Sequence, residues 1–352
     1  IISCQKRGLG AFLLRWLLRT AGFLFGGIVR LRKRCYDWGL IKAHHVAVPV
    51  VSVGNLSLGG TGKTPAVAWL ARWFRRHGVP VAVVSRGYGA EAGQPNDEAM
   101  ELAQNLPDVP HFQNPNRVAA AQTAIHQGAG LIVLDDAFQH RRIARDLDIV
   151  LLDASAPFGA GTVFPGGTLR EPFRSIRRAD MILLSRADML GLPDRQQVWQ
   201  RVRREAPGAV CAEAAHAPAA LLNVSGTTSE LSSLAGKRVA AFCAIGNPNG
   251  FRHTLIESGI QPVDMRVFPD HHRYTASDIA SLTDWVKRFD VAAVVCTHKD
   301  LVKLETDSLG ACPLWAVTIE LRFLQGQEEV ERCLRQFLPG HRPPVGQTPD
   351  AC

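Results

Sequence analysis

No two of the eight cysteines lie closer than 16 positions. That excludes a Cys-x-x-Cys zinc or redox motif and reads as reduced thiols in a cytosolic compartment. The 31 glycines and 21 prolines carry no G-X-Y period, and no repeat of about 20–50 residues is present, so collagen and solenoid architectures are excluded. The apolar stretch 11–31 lacks an uninterrupted hydrophobic run: its longest uncharged segment, Thr20–Val29, has ten residues, where a bilayer span needs roughly 20. Arg15, Arg19 and Arg30 would each cost about 2.5–3.5 kcal/mol in mid-membrane. Acid is nearly absent from residues 1–45, which hold nine Lys/Arg and only Asp37. The entire net charge of +8 therefore belongs to this segment, and the rest balances with 31 charges of each sign. A nucleic-acid binder spreads basic residues over a folded face; a confined basic segment points to an acidic surface instead.

What is present is a chain of 352 residues, 46% apolar and 20% charged, enough for a large core and for two domains. In a helical projection Arg15, Arg19, Gly22, Gly26, Arg30 and Lys33 share one stripe, with Leu, Phe, Trp, Ile and Val over most of the remainder. This predicts a helix lying in the interface of an anionic membrane. Ordinary packing on the domain and a secretory signal are the alternatives, the latter opposed by the internal arginines and the missing A-x-A site.

Downstream, short apolar runs alternate with helical periodicity. Strands are expected at 48–53, 81–85, 131–134, 149–153, 181–185, 239–244, 263–268, 291–296 and 314–319. Helices are expected at 64–76, 116–126, 250–258, 277–289 and 328–337, with a Thr275/Asp278 capping box. The pattern implies an α/β fold, a parallel sheet covered on both faces. The expected division is an N-terminal segment 1–45, a core domain 46–213, a linker 214–236, a smaller α/β domain 237–338 and a mobile tail 339–352.

The first strand runs into GNLSLGGTGKTP, residues 54–65, and then a helix. Backbone N–H groups of Ser57, Leu58, Gly59, Gly60, Thr61 and Gly62 would curl round phosphate oxygens at a helix N-terminus. Lys63 would reach the β- and γ-phosphates and Thr64 would ligate Mg²⁺. The strict P-loop pattern asks for Gly where Ser57 stands, but strand, loop and helix follow in the right order. The run LIVLDD, residues 131–136, ends a buried strand in two acids, Asp135 and Asp136, at the position where Mg²⁺ must be held. The guanine-reading N-K-x-D pattern is absent at THKD, 297–300, where Lys falls one place late.

The ordered set PVVSVGNLSLGGTGKTP (49–65), SRGYG (85–89), NDEAMELA (96–103), LDDAFQHRRIARDLDIVLLDA (134–154), GGTLREP (166–172), CAIGNPNGF (243–251), FPDHHRY (268–274) and THKDLVKL (297–304) resembles the tetraacyldisaccharide 4'-kinase family of lipid A biosynthesis. The resemblance implies a P-loop NTPase-type sheet domain with a second, smaller α/β domain and an N-terminal membrane-associated helix. It implies ATP-dependent phosphorylation of the 4'-hydroxyl of tetraacyldisaccharide 1-phosphate, to give lipid IVA, by a peripheral enzyme on the cytoplasmic face of the bacterial inner membrane. ATP, Mg²⁺, the acylated disaccharide and an anionic membrane are the implied partners, with no nucleic acid, and a monomer is expected. By the same resemblance Asp97 is the general base, His271 its support, Lys63 the phosphate-binding lysine, and Thr64, Asp135, Asp136 and Glu171 the metal and phosphate acids and hydroxyl. Gln139, Arg170 and Tyr88 also fall on family positions. From the residues alone Asp97 also reads as the N-cap of a helix over 98–104. A P-loop kinase or ligase with a soluble acceptor and a non-catalytic nucleotide switch are the competing readings. Departures from the family pattern are Ala137 for Gly, Asn96 for Gly, Gly166-Gly167-Thr168 before LREP, and His298 for Glu. Ala137 would disturb the turn if that position required a positive φ.

Overall fold

The computed structural model describes residues 9–87, 97–270, 272–304 and 306–340. It divides the chain into two units: residues 1–86, 109–215 and 323–352 in the first, and 87–108 with 216–322 in the second.

The first unit is built on parallel strands β1 (Val50–Asn55), β2 (Val81–Ser85), β3 (His111–Gln113), β4 (Leu131–Asp135), β5 (Leu147–Asp153), β6 (Met181–Ser185) and the first part of β7 (Val210–Leu222), in the order β7-β6-β5-β1-β4-β2-β3. Strands β1, β2, β4 and β6 are buried along their whole length. Near-continuous Val, Ile and Leu, rather than alternation, is what burial on both faces demands. Its helices are α1 (Leu9–Asp37), α2 (Lys63–Arg76), α4 (Arg117–His126) and α5 (Leu192–Glu205), with α9 (Gln327–Arg335) at the end. On α2, Val67, Leu70, Ala71 and Phe74 are buried at helical spacing, so one face seals the sheet.

The second unit carries α3 (Asp97–Asn105) and, after β7, the short β8 (Thr228–Ser229), then β9 (Val239–Cys243), α6 (Pro248–Glu257), β10 (Pro262–Val267), α7 (Ala276–Val286), β11 (Ala293–Thr297), α8 (His298–Leu304), β12 (Ser308–Leu309) and β13 (Cys312–Gln325). Parallel pairing links β10 to β9, β9 to β11 and β11 to β13. The Thr275/Asp278 capping box at the start of α7 is present in both directions.

The expected organisation is revised in three places. Residues 214–236 are not a linker: the unit boundary falls inside β7, and the chain returns to the first unit within β13. Helix α9 thus belongs to the first unit, where Gly326 adopts φ +83° and an added Cβ would lie 2.7 Å from Cys211 O. Residues 97–108 in turn belong to the second unit. The run 210–222 escaped sequence reading because its buried residues include Ala212, Ala214 and Ala215, and alanine carries little strand signal. Helix α5 also went unread, although Pro193 in its first turn is a start signal.

Candidate active site

Strand β1 lies between β4 and β5, and the crevice outside the carboxyl ends of such strands is where ligands bind in open α/β sheets. The loop leaves β1 at that edge. Gly54 is required there by a close approach: a Cβ would sit 2.6 Å from the Cβ of Phe138. Asn55 Nδ2 donates to Thr61 Oγ1 at 2.9 Å, closing the loop across its base, and Gln139 Nε2 donates to Asn55 O at 2.8 Å. The opposite rim is tied to the segment 166–171: Leu58 N donates to Thr168 O at 2.7 Å and Arg170 N to Leu56 O at 2.7 Å. Gly62, at φ +81°, turns the chain into α2, whose first residues Lys63 and Thr64 are buried. The helix N-terminus adds its partial positive charge to the same place.

Register pairs Val53 with Asp135, so that acid stands beside the end of β1, buried at 3% exposure. Asp136 follows in the left-handed region at φ +49°. Its carboxylate meets Arg170 Nη1 at 2.8 and 2.9 Å and Lys63 Nζ at 3.5 Å. Arg117 Nη2 donates to the backbone O of Asp136 at 3.0 Å. Burial disfavours the charged form of Asp136, but Lys63, Arg170 and Arg117 outweigh it and hold the carboxyl below the usual range. Since Asp136, and not residue 137, takes the positive φ, Ala137 is accommodated and fully buried.

Glu171 has two cationic partners. It pairs with Lys33 Nζ of α1 at 2.5 Å and Arg178 Nη2 at 2.9 Å, with a side chain only 5% exposed. Both cations meet the same oxygen, Oε2, and the Lys33 pair ties the carboxylate to α1. Among the described residues no group of three or more His, Cys, Asp or Glu could hold a metal ion. A Mg²⁺ held by one or two carboxylates, a hydroxyl and substrate phosphates needs no such group, and the all-oxygen set of Thr64, Asp135 and Asp136 fits that ion.

The described part of the stripe on α1 is divided, with Arg30 exposed. Gly22 and Gly26 are buried and Lys33 is half-buried against the domain. A Cβ on Gly22 would lie 2.7 Å from Val163 O, so glycine permits that approach. Asp37 pairs with Arg141 at 2.7 Å. Outward instead stand Trp16, Phe23, Ile28 and Leu31, all at least 60% exposed, with Arg30, Arg32 and Arg34 among them. Among the described residues no helix is long and apolar enough to cross a membrane. Between α1 and the loop lies a cavity of about 300 Å³, lined by Val29, Lys33, Tyr36, Leu58, Phe164 and Arg170 among others.

In the second unit, Asp97 opens α3. Its side chain, and all of Tyr88, Asn96, His271 and the tail from 341, lie outside the described residues. His298 is buried, with Nε2 2.6 Å from Gln104 Oε1, which ties α8 to α3. Burial lowers its pKa to about 4, so the ring is neutral at pH 7. Asp300 is fully buried and accepts from Ala244 N, Tyr274 Oη and Thr297 Oγ1. These bonds join the end of β11 to β9 and to Tyr274. Sequence reasoning missed Arg117, whose value comes from a contact 19 residues away, and Ser185 and Arg186, which reach the loop from β6.

The family model described as tetraacyldisaccharide-1-P 4'-kinase (LpxK) matches residues 14–339. A relative named tetraacyldisaccharide 4'-kinase from Anaeromyxobacter sp. (strain K) is 39% identical over 350 residues, covering 91% of this chain and 92% of its own length. One of the same name from Chlorobaculum tepidum is 37% identical, covering 92% and 97%. The crystal structure of "apo" form LpxK from Aquifex aeolicus in complex with ATP superposes with a TM-score of 0.75 at 27% identity, over 92% of this chain and 99% of that one.

Proposed function

The chain belongs to the tetraacyldisaccharide 4'-kinase family and is an ATP-dependent kinase for the 4'-hydroxyl of that acylated sugar, and from this premise we propose how its own residues carry the transfer. The observation that supports the assignment most directly is the loop between β1 and α2 with Lys63 and Arg170 gathered on Asp136. The buried Lys63 and the half-buried Arg170 sit where phosphate charge arrives. In this reading Lys63 leaves Asp136 for the β- and γ-phosphates, while the N–H groups of 57–62 hold the remaining oxygens. Thr64, Asp135 and Asp136 would hold Mg²⁺, which when bound neutralises charge on the bridging phosphates. Arg170 keeps Asp136 ionised through that exchange.

Asp97 takes the proton of the acceptor hydroxyl, and His271 orients it. Phosphoryl transfer through a loose transition state asks little covalent chemistry of the protein, so positioning and charge carry the rate. The acceptor stays in the bilayer, and α1 brings the enzyme to it. The exposed Trp16, Phe23, Ile28 and Leu31 enter the interface, and Arg30, Arg32 and Arg34 meet anionic headgroups. This gives a peripheral enzyme at the cytoplasmic face of the inner membrane. The cavity beside α1 joins apolar walls to Lys33 and Arg170, which suits a phosphorylated, acylated sugar.

The test is transfer of labelled γ-phosphate from ATP to tetraacyl disaccharide 1-phosphate in mixed micelles, with wild type and Asp97→Ala side by side. A bis-phosphorylated lipid from wild type, reduced at least 100-fold in the variant, is expected. Equal product from both would return Asp97 to a capping role.

A further inference from the structure

The phosphate loop has a second tether, from the carboxyl end of β6. Ser185 Oγ donates to Thr61 O at 2.8 Å and Arg186 Nη1 to Gly60 O at 3.0 Å. Arg186 also pairs with Asp153 at the end of β5. Register sets Asp153 beside Ser185, so the three groups form one cluster next to the loop. Ser185 is fully buried, and the Arg186 side chain is 14% exposed. Arg186 holds a left-handed backbone, φ 53° and ψ 34°. That conformation is unfavourable for a non-glycine residue and persists only where the surroundings impose it.

The peptide plane gives these contacts their meaning. In a trans peptide C=O and N–H point in opposite directions. Gly60 O shares its peptide with the N–H of Thr61, and Thr61 O shares its peptide with the N–H of Gly62. Drawing both carbonyls toward β6 therefore turns both N–H groups the other way, into the concavity that α2 closes. Asp153 fixes the guanidinium and balances its charge, so Arg186 works as a strut.

We propose that Ser185 and Arg186, braced by Asp153, are positioning residues that preset the Thr61 and Gly62 amides for the triphosphate of the nucleotide before it binds. The proposal rests on reading residues 54–65 as the phosphate loop. A preset loop loses less freedom on binding, so the benefit falls on nucleotide affinity and not on the lipid.

Titration calorimetry with ATP and, separately, with inorganic tripolyphosphate tests this on Arg186→Ala, Arg186→Lys and Ser185→Ala, alongside the KM for lipid and the nucleotide-free Tm. Arg186→Ala should weaken both ligands by a common factor of about tenfold, as expected for losing one charge-assisted contact. Ser185→Ala should weaken both several-fold, and Arg186→Lys should recover part of the loss. The lipid KM should stay within about twofold, the span left by a change that acts on nucleotide alone. Unchanged affinity for both ligands in Arg186→Ala and Ser185→Ala would overturn the proposal. So would a loss confined to ATP with tripolyphosphate untouched, which would mean direct contact with base or ribose. A fall in lipid affinity parallel to a large fall in Tm would overturn it in favour of general support of the fold. Lys63→Ala serves as control: if it leaves tripolyphosphate binding intact, the phosphate-loop reading itself fails, whatever Arg186 does.

Discussion

Glu171→Gln separates a metal ligand from an anchor. The carboxylate is 5% exposed and touches two cations, Lys33 at 18% and Arg178 at 17%. Lys33 also bonds Ser175 Oγ, and burial lowers its pKa despite Glu171. Removing one partner of a buried ion pair costs about 3–5 kcal/mol, chiefly because the other charge is left buried and uncompensated. The two cations keep some access to water, and glutamine retains one acceptor, so the lower end, about 3 kcal/mol, is expected. In a domain of this size that is a fall in Tm of about 6–12 °C, read by calorimetry. Lys33→Met/Glu171→Gln should lose less than the sum of its single variants, since the residues touch. The Mg²⁺ dependence of transfer, measured in the same preparations, should be unchanged. An unaltered Tm combined with a raised Mg²⁺ requirement would refute the anchor and return Glu171 to the metal set.

Three further outcomes follow from particular contacts. His298 has a folded pKa of about 4 against 6.5 unfolded. The unfolded chain binds the extra proton between those values, so the stability due to the neutral ring is complete above pH 6.5 and falls by about 3 kcal/mol as pH drops toward 4. Denaturant titrations should show this slope and His298→Gln should flatten it; an unchanged slope would refute the assignment. Gly22→Ala should destabilise the chain, since its Cβ would meet Val163 O at 2.7 Å, whereas Gly26→Ala, with nothing nearer than 3.9 Å, should be neutral or stabilising by up to about 1 kcal/mol through helix propensity. Chemical unfolding of the pair reads the contrast, and equal effects would contradict the packing of α1. Replacing Trp16, Phe23 and Leu31 together by Ser should cut co-sedimentation with anionic vesicles while preserving transfer to detergent-dispersed acceptor; full retention on vesicles would remove α1 as the membrane contact.

Much of the fold was legible because its signals are local. The strands β1, β2, β4, β5 and β6 declare themselves by runs dominated by Val, Ile and Leu, and the loop by its glycines with Lys63 and Thr64 behind them. The Thr275/Asp278 cap is a contact over three residues and could be read directly. The site was legible only as a list. Lys63 and Asp136 are far apart in sequence, and nothing in either string says that Arg170 holds the carboxylate between them. Glu171 reads in the sequence as a third acid beside Asp135 and Asp136, because sequence shows the acid and not its partners Lys33 and Arg178.

The sequence by itself determined the types of most elements, the positions of the most apolar strands along the chain, the phosphate loop and the family resemblance. All of these depend on residue type at short spacing. Tertiary structure alone decided which side of α1 faces water, because the helical stripe is the same whichever way the helix lies; Gly22 against Val163 and Lys33 against Glu171 settle it. It alone decided that 97–108 and 216–322 form one unit and that the chain comes back through β13, since alanine-rich strands are specified by their neighbours. And it alone showed Ser185 and Arg186 holding the loop from more than 120 residues away. Such contacts come from side chains meeting across a sheet, where sequence distance carries no information.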